Sequence, residues 1–250
     1  MALLFASAIL AISLLGLFLF RALLFDWIHS EPLTNEMVGL SLASFSVLYG
    51  ILLGLVAVGA YQNFASVGDL VTREAASLAA LYRDTSAFPD PFRSAIQRDL
   101  RDYTRYSIDR GWPAQRQGIV PTGGSKRITA IFSDLVRFRP IDRYGEVIFA
   151  ETLRQYNNLV ELRRARLAEV TTGIPAVLWW VVAVGAFLNL VLIWMLNMEI
   201  HVHVILATIL SVFLGVVIFL VAAMDNPFRG EVSVGPDAYE LVYQTFMKGS

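Results

Sequence analysis

Apolar residues in this chain fall in four long runs, at residues 2–25, 37–60, 174–196 and 202–224. One polar stretch, 61–173, separates the second run from the third. About 20 apolar residues in helical form cross the hydrocarbon core of a bilayer, so each run predicts a membrane-spanning helix. The pattern predicts an all-α membrane protein. A hairpin of spans covers 1–61, a helical domain 62–173, a second hairpin 174–224 and a terminal segment 225–250. The first run lacks a basic n-region and exceeds the length of a signal-peptide core, so it reads as a retained span.

Within the polar stretch the period stays helical. Phe64, Val67, Val71, Ala75, Leu78 and Leu81 recur at three- and four-residue steps, with no proline between them and the second run. That spacing predicts one uninterrupted helix running from the second span to about Ser86. Its length would be about 50 residues, or roughly 75 Å. Pro89-Asp90-Pro91 ends it. A further helix carries Phe92, Ile96, Leu100, Tyr103 and Ser107 on one face and is expected to close at Gly111-Trp112-Pro113. Residues 114–125 read as a loop, 126–138 as a short helix and 146–171 as a long one. The last is striped by Ile148, Thr152, Tyr156, Leu159, Leu162 and Leu167, and Gly173 and Pro175 break it before the third span.

Charge adds an orientation. The chain has 250 residues, 56% of them hydrophobic, and a net charge of −1, which gives no signal for nucleic acid. Yet 17 of the 20 Lys and Arg residues lie in the polar stretch, against 13 acidic residues there. The connections between spans are poor in Lys and Arg and carry Asp26, Glu31, Glu36 and Glu199. Arg163, Arg164 and Arg166 stand within about ten residues of the third span, where the positive-inside rule applies. The polar domain and both termini are therefore expected in the cytoplasm. The same three arginines are candidates for attracting anions to a vestibule or for holding lipid headgroups.

Candidate chemistry is sparse. Cysteine is absent, which excludes disulfides. No Gly-x-Ser-x-Gly, phosphate-binding loop or His-Glu-x-x-His motif occurs, so neither an enzyme nor a cofactor is expected. His201 and His203 stand two residues apart, off a common helix face, and are too few for a closed metal site. They read as an interfacial turn, and Trp179, Trp180 and Trp194 as interfacial belts. The second span is dotted with small and hydroxyl residues: Gly39, Ser41, Ser44, Ser46, Gly50, Gly54 and Gly59. These suit the lining of a pore or tight helix packing through Gly50-x-x-x-Gly54.

Three places together carry a family resemblance. The second span ends Leu53-Gly54-Leu55-Val56-Ala57-Val58-Gly59-Ala60-Tyr61-Gln62-Asn63-Phe64. The helix beyond it bears Asp69, Arg73-Glu74-Ala75-Ala76 and Leu81-Tyr82-Arg83. The fourth span ends Asp225-Asn226-Pro227-Phe228-Arg229-Gly230. Four spans, a helical insert after the second and Asn-Pro-Phe after the fourth resemble the bestrophins, and more closely the bacterial bestrophin-like family. Trp112-Pro113, the run from Arg163 to Leu167, and Pro175 followed by Trp179 extend that likeness over nearly the whole chain. The resemblance implies a homo-oligomer, a pentamer, in the bacterial plasma membrane, conducting small ions and possessing a pore lined by the second span. By position the apolar neck would map onto Leu53, Ala57 and Tyr61, with Gly50 and Gly54 on the pore side. Asn63 and Asn226-Pro227-Phe228 would be structural motif positions. Ala57 is smaller than the bulky residues of bestrophin necks. The segment after Asn-Pro-Phe has no acidic cluster, so no calcium clasp is expected. The competing expectation is a non-conducting membrane scaffold or sensor.

Overall fold

The computed structural model describes residues 2–23, 33–230 and 232–248. Asp26, Trp27, His29, Glu31 and Glu231 lie outside the described residues. The order of elements follows the hydrophobic pattern: α1 (Ala2–Leu23), α2 (Thr34–Asp84), α3 (Phe92–Tyr106), α4 (Trp112–Arg116), α5 (Gly123–Arg137), α6 (Arg143–Ala168), α7 (Ala176–Trp194), α8 (Ile200–Asp225) and α9 (Asp237–Val242). No strand occurs among the described residues. Four helices, α1, α2, α7 and α8, carry stretches long and apolar enough to cross a membrane.

The chain divides into two compact units, each assembled from two separate segments. One comprises Met1–Gln62 and Ile174–Asp225, the other Asn63–Gly173 and Asn226–Ser250.

In the first unit, helices meet where small residues let them approach, as expected where lipid removes the hydrophobic drive for association. The ring of Trp194 covers Gly16, where a Cβ would stand 2.1 Å from it. Its Nε1 donates to the Ser13 carbonyl at 2.9 Å. Tyr49 lies against Gly185 in the same way, and its hydroxyl donates to the Val182 carbonyl at 3.0 Å. Gly215 of α8 faces the Ala6 backbone of α1, 2.9 Å from a Cβ position. Asn189 Nδ2 donates to Ser46 Oγ at 3.2 Å. Trp194 is thus a packing residue, only 9% exposed, and not part of an interfacial belt; Gly16 opposite leaves room for its indole. Trp180, at 72% exposed, and Trp179, whose Nε1 donates to Asp225 Oδ2, sit near the start of α7. Much of this unit's outer surface is large and apolar, including Leu4, Leu55, Val177 and Phe213.

The second unit has one hydrophobic core, to which the later part of α2 contributes Val71, Leu78 and Leu81. Ile96 and Leu100 of α3, Ile131 and Leu135 of α5, and Leu159 of α6 close on them. Fully burying such side chains contributes about 1.5–3 kcal/mol each. Phe228, Tyr239 and Met247 belong to the same core.

Three boundaries differ from expectation. The helix after Pro91 does not close at Pro113. It passes through a π-helical turn at Ser107–Gly111 and continues as α4. Pro113 follows that turn directly, at the second position of α4; the wider π-helical bonding there, with the Trp112 N–H on the Ser107 carbonyl, accommodates a residue that has no N–H to donate. The stop comes at Gly118, in the left-handed conformation with φ 74°, as at many helix C-termini. α5 starts at Gly123, inside the stretch expected to be loop. α6 starts at Arg143, three residues early, because Asp142 caps it: its side chain accepts from the Gly145 N–H at 2.7 Å, a standard N-terminal device.

Candidate functional site

The membrane half of α2 presents two distinct faces. Tyr49, Leu53 and Ala60 are buried within the unit. Gly50, Gly54, Val58 and Tyr61 face outward, Tyr61 at 59% exposed. A Cβ added at Gly50, Gly54 or Gly59 would meet nothing within 4 Å, so among the described residues the glycine spacing of the second span is not used for packing. Leu53, Ala57 and Tyr61 do not share a face equally. A four-residue step advances about 40° past a full turn, so the line drifts from the buried side at Leu53, 5% exposed, through half-buried Ala57 to the open side at Tyr61. Asn63, the next singled-out residue on this helix, is half-buried.

The arginine cluster separates into three environments. Arg164 is exposed. Arg166 is 2% exposed and forms a two-pronged pair with Glu74, Nε to Oε2 and Nη2 to Oε1 at 3.1 Å. Its Nη1 donates to Gln115 Oε1 at 2.8 Å, and its guanidinium lies 4.8 Å from the centre of a Trp112 ring. Burial opposes the charge on Arg166, but the Glu74 carboxylate more than offsets this and raises its pKa. Arg166 is therefore withdrawn from the anion-attracting set: its donors are already committed, and water does not reach it. Tyr103 donates to Glu74 Oε1 at 3.2 Å. Burial first, and the Glu74 charge second, push the Tyr103 and Tyr239 hydroxyls above the ordinary tyrosine range. Glu74 is an acid with 0% exposure, and the sequence places it only within the Arg73-Glu74-Ala75-Ala76 run, with no role of its own. Its signal was its place between Val71 and Leu78 on the apolar stripe.

Arg163 is 7% exposed and lies at the start of α5, its Nη2 donating to Ser125 Oγ at 3.2 Å. Nearby, Arg127 Nε is 2.7 Å from Asp102 Oδ2, and its guanidinium covers the Tyr106 ring at 4.2 Å.

Asn226, Pro227 and Phe228 form a corner. The Arg229 N–H donates to the Asn226 carbonyl at 2.9 Å, and the Val234 N–H to that of Pro227 at 2.7 Å. Phe228 is 1% exposed within the core of the second unit. Trp112 Nε1 donates to the Val234 carbonyl at 3.2 Å, and Tyr239 packs edge-on to Trp112. The motif thus seats the terminal segment on the bundle. The histidines have separate roles. His201 is exposed, while His203 is 1% exposed with Nε2 2.8 Å from the Ile193 carbonyl. His203 is therefore a buried tie between α8 and the end of α7 and not an interfacial turn residue. Among the described residues, no group of three or more His, Asp or Glu side chains has the placement of a metal site.

Comparison with known proteins places this geometry. Residues 7–239 match the bestrophin-like domain. Two variant structures of a bacterial bestrophin homologue from Klebsiella pneumoniae superpose with TM-scores of 0.71 and 0.69, at 11% and 12% identity. In both cases the alignment covers 100% of this chain and 99% of the other. A crystal structure described as a membrane protein variant superposes with a TM-score of 0.69 at 12% identity, covering 100% of this chain and 99% of that one. None of the curated proteins matches the chain. At these identities the superpositions establish the fold, and with the domain match over residues 7–239 the chain belongs to the bestrophin-like family.

Proposed function

We propose that the protein is the subunit of a homo-oligomeric, bestrophin-type ion channel whose ion path runs along the open face of α2. The observation that carries this reading is the stripe of Gly50, Gly54, Val58 and Tyr61, which is left open by the described residues of the chain. A glycine-dotted face without a partner in its own subunit suits a symmetry axis, where neighbouring copies approach and a lumen remains. Tyr61 stands at the neck, Ala57 at its edge, and Leu53 behind it in the wall. An apolar constriction of this kind gates by dewetting. Family membership and the bestrophin fold support the channel class, and the resemblance favours a pentamer. The basic residues ahead of α7, Arg163 and Arg164 among them, support a cytoplasmic bundle and cytoplasmic termini in a bacterial plasma membrane.

Reconstitution in planar bilayers tests the reading. Unitary currents are expected, and reversal potentials in asymmetric salt give the sign of the permeant ion. Tyr61→Ala is expected to raise conductance or basal leak severalfold. An intact oligomer that passes no current under any salt gradient would overturn the proposal in favour of a membrane scaffold. An exposed apolar corner at Ile141, Tyr144 and Val147 of the second unit favours that second reading.

A further inference from the structure

A groove in the first unit is left open where three spans meet. α1 and α7 form its walls and Ile218 of α8 its floor, and its volume is about 450 Å³. Cavities of that size hold a small organic ligand. The groove exists because facing positions are small: Ala8 on α1, and Ala183 and Ala186 on α7. Along α7 it extends from Trp179 to Leu190, about 16 Å at 1.5 Å per residue. One leaflet fills about half of a hydrocarbon core some 30 Å thick, so the groove is as long as one leaflet is deep. The side chains along it are apolar apart from the indole N–H of Trp179, which already donates to Asp225 Oδ2 at 3.2 Å. A polar ligand or an ion therefore finds no side-chain partner there.

We propose that this groove binds one acyl chain of a membrane phospholipid. An apolar cavity does not hold water, and an empty one forfeits the dispersion contacts of the atoms that line it. At this depth the available material is a lipid chain or another span. A span from a second copy fits the groove poorly. Spans approach closely through small residues, whereas Ile12 and Phe187 stand along this opening, each 56% exposed. A flexible chain passes between them and reaches Ile218. None of the lining comes from α2, the helix that borders the axis in the channel reading, so assembly around α2 does not itself fill the groove. The bound chain completes the contact between α1 and α7 that the alanines leave open. The site rests on α1, α7 and α8 lying in the membrane and not on conduction.

The test uses the full-length oligomer, purified in detergent with added palmitoyl-oleoyl-phosphatidylglycerol, and native mass spectrometry to count retained lipids. The wild-type protein is expected to keep one lipid per subunit under activation that strips the remainder. Ala186→Phe places a ring in the groove and is expected to lower the retained fraction at least fivefold. Val216→Phe, on the exposed side of α8, is expected to leave it unchanged. Should Ala186→Phe not assemble, Ala183→Leu provides the second variant, with a loss in the same direction expected. A phosphatidylcholine carrying a diazirine midway along one chain locates the lipid in nanodiscs. Carbene insertion is expected to be at least threefold higher at Ala183, Ala186 and Leu190 than at Val216. No lipid retained by the wild-type protein, equal retention in Ala186→Phe, or equal labelling inside and outside the groove would overturn the proposal. So would a change in oligomer order on Ala186→Phe without lipid on the wild-type protein, which assigns the groove to a neighbouring subunit.

Discussion

Glu74 and Arg166 hold opposite charges in a place where neither is tolerated alone. The pair is enclosed by Gln115, Tyr103 and Trp112, so each charge relies on the other for what water would otherwise supply. Removing one partner strands the second. Glu74→Gln is therefore expected to destabilise the second unit by about 3–5 kcal/mol, measured by chemical denaturation. Replacing both residues with apolar ones of similar volume should restore most of that loss. Arg164→Gln, two positions from Arg166 but exposed, should change stability by less than about 0.5 kcal/mol. The three arginines look alike in sequence, and only packing distinguishes them. Arg163 and Arg166 share the inward stripe of Tyr156 and Leu159 at helical spacing. That placement could be read from the sequence, but the identity of the countercharge, 92 residues away on α2, could not.

At the level of elements, the close approach of α2 to α7 depends on Gly185. A Cβ there would stand 2.3 Å from a Tyr49 ring carbon, too near to be absorbed without moving the ring and its bond to Val182. Gly185→Ala is expected to cost about 1–3 kcal/mol, read as a lower melting temperature of the oligomer in detergent. Helix lengths were largely legible. α2 runs to Asp84, close to the expected Ser86, because its apolar steps continue without a breaker. Helix starts were less so. Gly123 and Gly124 have loop-like identities but occupy the first turn of α5, and the π-turn before α4 absorbs a proline that ordinarily stops a helix. Such features depend on tertiary neighbours, here Tyr106 and Arg163, that local pattern does not encode. The neck assignment shows a related effect. A four-residue spacing looks like one face over eight residues, yet the drift at each step carries Leu53 into the subunit interior.

Across the whole molecule, the hydrophobic pattern predicted the class of fold, and the domain match and superpositions agree with it. The pH behaviour of the second unit follows from its buried tyrosines. Tyr103 and Tyr239 have pKa values raised above 10.0 by burial and by Glu74. The folded state keeps protons that the unfolded chain releases above that value. The stability they contribute is thus complete below pH 10 and declines as pH rises beyond it. Helix content followed by circular dichroism should fall as pH climbs above 10, and Tyr239→Phe should flatten the decline.

The bundle's core also sets a timetable for synthesis. Phe228, Tyr239 and Met247 belong to that core, yet they follow both later spans in the chain. A ribosome adding about 5–20 residues per second needs roughly 4–15 s to travel from Gly173 to Met247. For that interval Val71, Leu78 and Trp112 await partners that are still being made, so the nascent bundle depends on chaperone cover or prompt membrane insertion to avoid joining the wrong chain.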